Sequence, residues 1–189
     1  MIAARVARVR ERIEQAAKRS GRRADEITLV AVSKTKTAED VRAGFDAGLR
    51  VFGENKVQEA EAKAAALAPL REAGLRWHFI GHLQGNKARK AAAVFECVHS
   101  VDREDLANRL ASLGRERGEA IRALVQVNSS REETKHGVAD DQLLRLLERS
   151  RDLEGLEIGG LMTMPAYREN PEDARPHFAR LRELRDAAV

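Results

Sequence analysis

Among residues whose type and place permit chemistry, Lys34 comes first. It closes the run Ile27-Thr28-Leu29-Val30-Ala31-Val32-Ser33, which is apolar apart from Thr28 and Ser33 and rich in β-branched side chains. Such a run predicts a strand buried on both faces. In a parallel α/β fold the carboxyl ends of the strands form the ligand-binding face, so a lysine there is placed to meet a small molecule. An amine beside an apolar wall loses hydration and its pKa falls, leaving more of the neutral nucleophile that condenses with an aldehyde to a Schiff base. The segment alone also fits a strand-end lysine reaching into water, the commoner arrangement. Lys36, two residues on, falls on the same side of an extended chain and is expected to be solvated.

The other candidates are weaker. His78 and His82 are four apart, but the first lies on a predicted strand and Gly81 intervenes, so no metal site is expected. Gly81-His82-Leu83-Gln84-Gly85-Asn86-Lys87 has the glycines and lysine of a phosphate loop without its spacing or its Ser/Thr after the lysine. Ser33 and Cys97 lack a nucleophile elbow or a recognisable base, and Cys97 reads as a small buried residue.

The elements that must position these residues alternate. Residues 2 to 19 form an amphipathic helix closed by Ser20-Gly21. Thr37 caps a helix running to Ala47-Gly48, and a second strand spans Leu49 to Asn55. A helix rich in Ala, Glu and Lys runs from Val57 to Leu67 and is broken by Pro69. A third strand covers Trp77 to Gly81. The fourth runs from Val94 to Val101, with Asp102 as N-cap of a helix over 103–117. The fifth strand, Ile121 to Asn128, leads into a polar loop through Thr134-Lys135-His136-Gly137. A helix from Asp140 to Arg151 precedes the sixth strand, Leu156 to Met164; Pro165 ends it, and Pro171 opens a last helix. Six strand-helix units without hairpin signals mean a parallel sheet. Units of roughly 27 residues would need eight repeats to reach the about 250 residues of a (β/α)8 barrel. Six units fit either a complete doubly wound open sheet or a barrel lacking its last two strands.

Composition sets the outer limits. The 189 residues suffice for one domain, 1–189, and 4% aromatic residues require a core of Leu, Val, Ile and Ala. Basic and acidic residues, 34 and 30, are interleaved as on solvated helix faces, and no basic block or zinc-finger spacing points to nucleic acid. With Cys97 the single cysteine, no internal disulfide is possible, and no apolar run approaches a signal core or membrane span; a cytoplasmic protein is expected.

Four segments, taken together and in order, resemble one family across essentially the whole chain. They are Ala31-Val32-Ser33-Lys34-Thr35-Lys36; Phe52-Gly53-Glu54-Asn55 with Val57-Gln58-Glu59; Trp77-His78-Phe79-Ile80-Gly81 with Leu83-Gln84 and Asn86-Lys87; and Gly160-Leu161-Met162. They look like the YggS/PROSC proteins, the pyridoxal 5′-phosphate homeostasis family, which shares the barrel of alanine racemase's N-terminal domain. The resemblance implies a TIM barrel of that type, present here with about six of its βα units. It implies that Lys34 carries pyridoxal phosphate as a Schiff base, that Asn55 lies near the cofactor, and that Met162 is an apolar wall for its ring or an ordinary core methionine. Two family segments, Gly-Met-Ser and Val-Arg-Ile-Gly, which would supply strands seven and eight and the phosphate loops, are not in this sequence. Without them two sheet edges are expected to be exposed.

A racemase of this fold needs a second base opposite the lysine, usually a tyrosine supplied with a second domain; Tyr167 is the one tyrosine here. The expectation is therefore a monomeric carrier of pyridoxal phosphate, with no catalytic residues, that serves pyridoxal-phosphate apo-enzymes. An amino-acid racemase is the alternative.

Overall fold

The computed structural model describes residues 2–129, 136–167 and 169–188. The chain divides into two compact units, Met1–His78 and Phe79–Val189.

The first unit opens with α1 (Ile2–Arg19), ended as its sequence dictates by Gly21 at φ +69°. β1 (Val30–Val32) is shorter than its apolar run, and Val32 is 55% exposed, so the expected burial on both faces does not hold. The physical reason is pairing: among the described residues β1 has only β2 (Val51–Glu54) as a strand neighbour. The two run parallel, with Val30 opposite Val51 and Val32 opposite Gly53. Between them, α2 (Ala38–Asp46) starts at a full capping box, the Asp40 amide donating to Thr37 Oγ1 and the Thr37 amide to Asp40 Oδ2, both at 3.1 Å. Pro69 breaks the next helical stretch into α3 (Val57–Ala66) and α4 (Ala68–Glu72). β3 (Arg76–Phe79) then adjoins β2 through Arg76 N donating to Arg50 O at 2.8 Å. Val41, Phe52, Leu75 and Trp77 form this unit's core, with the Phe52 and Trp77 rings 6.0 Å apart.

The second unit runs α5 (Ala88–Val94), β4 (Cys97–Val101), α6 (Glu104–Arg117), β5 (Ile121–Gln126), α7 (Asp140–Arg151), β6 (Leu156–Met162) and α8 (Arg175–Ala187). β4 pairs with β5 and β5 with β6, both in parallel, as the strand-helix alternation predicts. Val94 belongs to the helix rather than the strand assigned to it. Asp102 is not the N-cap of α6: that place falls to Arg103, whose side chain makes no cap hydrogen bond. The Asp102 carboxylate is drawn instead to the Arg103 guanidinium, Nη1 to Oδ1 at 2.6 Å. Val125, Val127, Val138, Leu143 and Leu146 form one core cluster between β5 and α7.

Candidate functional site

β1 ends at Val32, and the ladder to β2 takes one more bond, Ser33 N donating to Gly53 O at 2.9 Å. The chain then turns. Lys36 N donates back to the Ser33 carbonyl at 3.0 Å, putting Lys34 and Thr35 at the corners of a turn. Thr35 stands at φ +65°, where a β-branched residue costs on the order of 1–3 kcal/mol. Its amide donates to Glu59 Oε2 at 3.4 Å, and Glu59 in turn pairs with Lys56 at 3.2 Å. Lys56 and, after it, the Thr35 amide hold the Glu59 carboxyl below its ordinary range.

Lys34 is exposed on this turn, which corrects the expectation of an amine kept dry by an apolar wall. Lys36 does not share its face through an extended chain, because the backbone between them bends; Lys36 borders a cavity of about 250 Å³ with Ala31, Val32, Val41 and Phe52. Asn55 follows β2 directly and is half-buried. The parallel register brings Lys34 and Asn55 to the same end of adjacent strands, their carboxyl ends.

Beneath the turn lies a polar network that the sequence reading did not single out. Glu54, fully buried at 0% exposure, accepts from Ser33 Oγ at 2.7 Å and from Lys63 Nζ at 2.7 Å through the same oxygen, Oε1. Lys63, 8% exposed, also donates to the Ser33 carbonyl at 2.8 Å. Among the described residues, the other oxygen, Glu54 Oε2, has no hydrogen-bond partner. The signal was present in the spacing: Val57, Ala60, Lys63 and Leu67 form one buried stripe, and Lys63 is the charged member of an otherwise apolar row.

In the second unit, Met162 closes β6, half-buried, its carbonyl accepting from Val127 N at 2.8 Å. Thr163 ties the carboxyl ends of β5 and β6 together, donating to Val127 O at 2.9 Å and sharing a 2.7 Å hydroxyl contact with Ser129. His82, Asp102 and His136 also meet in this unit. The His82 Nδ1 stands 3.4 Å from Asp102 Oδ2, while the two imidazoles stack with centroids 4.0 Å apart and planes 14° from parallel. An ion must lie near the plane of each ring that ligates it, and two stacked planes cannot both contain it. Joint coordination thus needs one ring to turn. Thr134 and Lys135 of the predicted polar loop lie outside the described residues.

Residues 5–189 match the model of the alanine racemase N-terminal domain family, which fixes the α/β barrel class to which these six parallel-type βα units belong. Within that class the chain belongs to the pyridoxal phosphate homeostasis protein family. It is 43% identical over 182 residues to the pyridoxal phosphate homeostasis protein of Aquifex aeolicus, covering 96% of this chain and 78% of that one. With the protein of the same description from Pseudomonas aeruginosa it shares 45% over 183 residues, 97% of this chain and 78% of the relative. The structure of PipY from Synechococcus elongatus PCC7942 with PLP bound superposes with a TM-score of 0.85 at 34% identity, covering all of this chain and 82% of PipY.

Proposed function

We propose that this protein binds pyridoxal 5′-phosphate through Lys34 and serves intracellular pyridoxal phosphate homeostasis, carrying the cofactor without turning substrate over. The observation that carries the proposal is the placing of Lys34: an accessible primary amine on a braced turn at the carboxyl end of β1, beside Asn55 at the end of β2, in a chain whose family includes a protein solved with PLP bound. The residues fit the group. Lys34 supplies the amine that an aldehyde-bearing cofactor needs, and Asn55 supplies an amide able to donate and accept at the same strand ends. Lys34 would hold the cofactor through its aldehyde, and the bound ring would supply an electron sink.

In this reading no acid-base pair among the described residues accompanies Lys34. Tyr167, the one tyrosine, is 91% exposed, which favours a carrier over an amino-acid racemase. The protein acts in the cytoplasm as a monomer, delivers cofactor to pyridoxal-phosphate apo-enzymes, and engages neither nucleic acid nor membrane. Among the described residues no helix is long and apolar enough to cross a membrane.

Adding pyridoxal phosphate to the protein should produce the visible absorption band of a lysine-bound cofactor, and Lys34→Ala should abolish it. A band that survives unchanged in the variant moves the assignment to another lysine. Incubating the loaded protein with D- and L-amino acids separates carrier from enzyme: sustained change in optical rotation would overturn the carrier reading.

A further inference from the structure

We infer that Lys63 is a positioning residue for Lys34: its buried ammonium, set against Glu54, clamps the Ser33 carbonyl and thereby fixes the turn that presents the Lys34 amine. This rests on the reading of Lys34 as the cofactor-bearing lysine.

Every polar group of Ser33 is engaged. Its amide donates to Gly53, its hydroxyl to Glu54, and its carbonyl accepts from both Lys36 N and Lys63 Nζ. Ser33 is the last residue before Lys34, so the clamp acts one peptide away from the reactive side chain. The turn it closes holds Thr35 at a positive φ, a conformation that persists only where the surroundings over-determine it. Two anchors hold that turn from α3, Glu59 on the Thr35 amide and Lys63 on the Ser33 carbonyl. Packing does not require an ammonium at position 63. Its stripe neighbours are Val57, Ala60 and Leu67, and an apolar side chain of similar length would fill the row without the cost of burying an ion pair. What an apolar side chain cannot do is donate to the Ser33 carbonyl. The sequence therefore sets a buried charge pair where α3 meets the peptide that leads into Lys34.

The test compares the full chain with Lys63→Met and with the double variant Glu54→Gln, Lys63→Met, which removes the ion pair without stranding a charge. In protein free of cofactor, deuterium exchange at the Lys36 amide reports the turn directly; on titration with pyridoxal phosphate, the visible band reports half-saturation. Losing one hydrogen bond from a charged donor should speed Lys36 exchange about tenfold and raise half-saturation about tenfold in the double variant. Lys34→Ala, by contrast, should abolish the band while leaving Lys36 exchange slow. Wild-type exchange and half-saturation in a folded double variant would reduce Lys63 to packing and overturn the inference, whereas a band surviving in Lys34→Ala would overturn the cofactor reading beneath it. A measurement on the unaltered protein stands apart from any folding defect: reductive methylation should modify Lys34 well before Lys63, and equal rates would overturn the clamp.

Discussion

Burial decides the chemistry of Cys97. The side chain is half-buried at the start of β4, and loss of hydration pushes its thiol from 9.0 up to about 11, with Arg122 pulling the other way and Glu157 adding a little. At pH 8 the folded thiol is then about 0.1% thiolate, against roughly 10% in an exposed cysteine. Alkylation of the folded protein at pH 8 should run about a hundredfold slower than in denaturant, and its rate should keep climbing past pH 9 instead of levelling there. The sign for stability follows from the same direction. The folded thiol holds its proton more tightly than the unfolded one, so its contribution is complete below pH 9 and is lost as pH rises through about 11. Equal alkylation rates in folded and unfolded protein would refute this. The residue scale is also where sequence reading met its limit. Lys34 stands out as an amine closing an apolar strand and Asn55 through the resemblance of Gly53-Glu54-Asn55 to the family's segment, whereas Lys63 is hidden in a helix rich in Ala, Glu and Lys. Helical phase separates the two cases: Lys63 keeps step with Val57, Ala60 and Leu67, and a lysine on the buried phase of a helix has to be paid with a partner, here Glu54.

At the scale of elements, α6 and the turn before β6 approach more closely than any side chain allows. A Cβ on Gly114 would sit 1.9 Å from the Gly155 carbonyl oxygen, and Gly155 itself takes φ +88°. Both positions are confined to glycine, one by contact and one by backbone conformation. Gly114→Ala should therefore lower stability by about 1–3 kcal/mol, seen as a fall in the denaturant midpoint at constant slope; an unchanged midpoint would mean that the helix can slide away. Helices were the legible elements. α1 and α7 match the ranges expected for them, 2–19 and Asp140–Arg151, because helical information is local. Strand limits were not local. β1 is three residues long where its apolar run has seven, since pairing with β2 rather than composition sets its length, and Asp102 was taken by Arg103 where a cap was expected.

For the molecule as a whole, strand-helix alternation and a core poor in rings are enough to give the parallel α/β class, while the division at His78 does not follow from the single domain, 1–189, expected on length. Global stability offers the broadest test of the proposed function. A ligand held by the folded chain alone stabilises it by about 2.7 kcal/mol at a hundred times its dissociation constant. In a chain of this length each kcal/mol moves the melting temperature by about 2–4 °C, so saturating pyridoxal phosphate should raise Tm by roughly 5–10 °C. The aldehyde also reacts with lysines of the unfolded chain, which opposes the shift. Lys34→Ala keeps those other lysines and loses the folded-state site, so its Tm should stay level or fall slightly as cofactor is added. A rise in the variant equal to that of the unaltered protein would mean that the stabilising contacts come from the phosphate or ring alone, and that the Lys34 amine contributes nothing to holding the group.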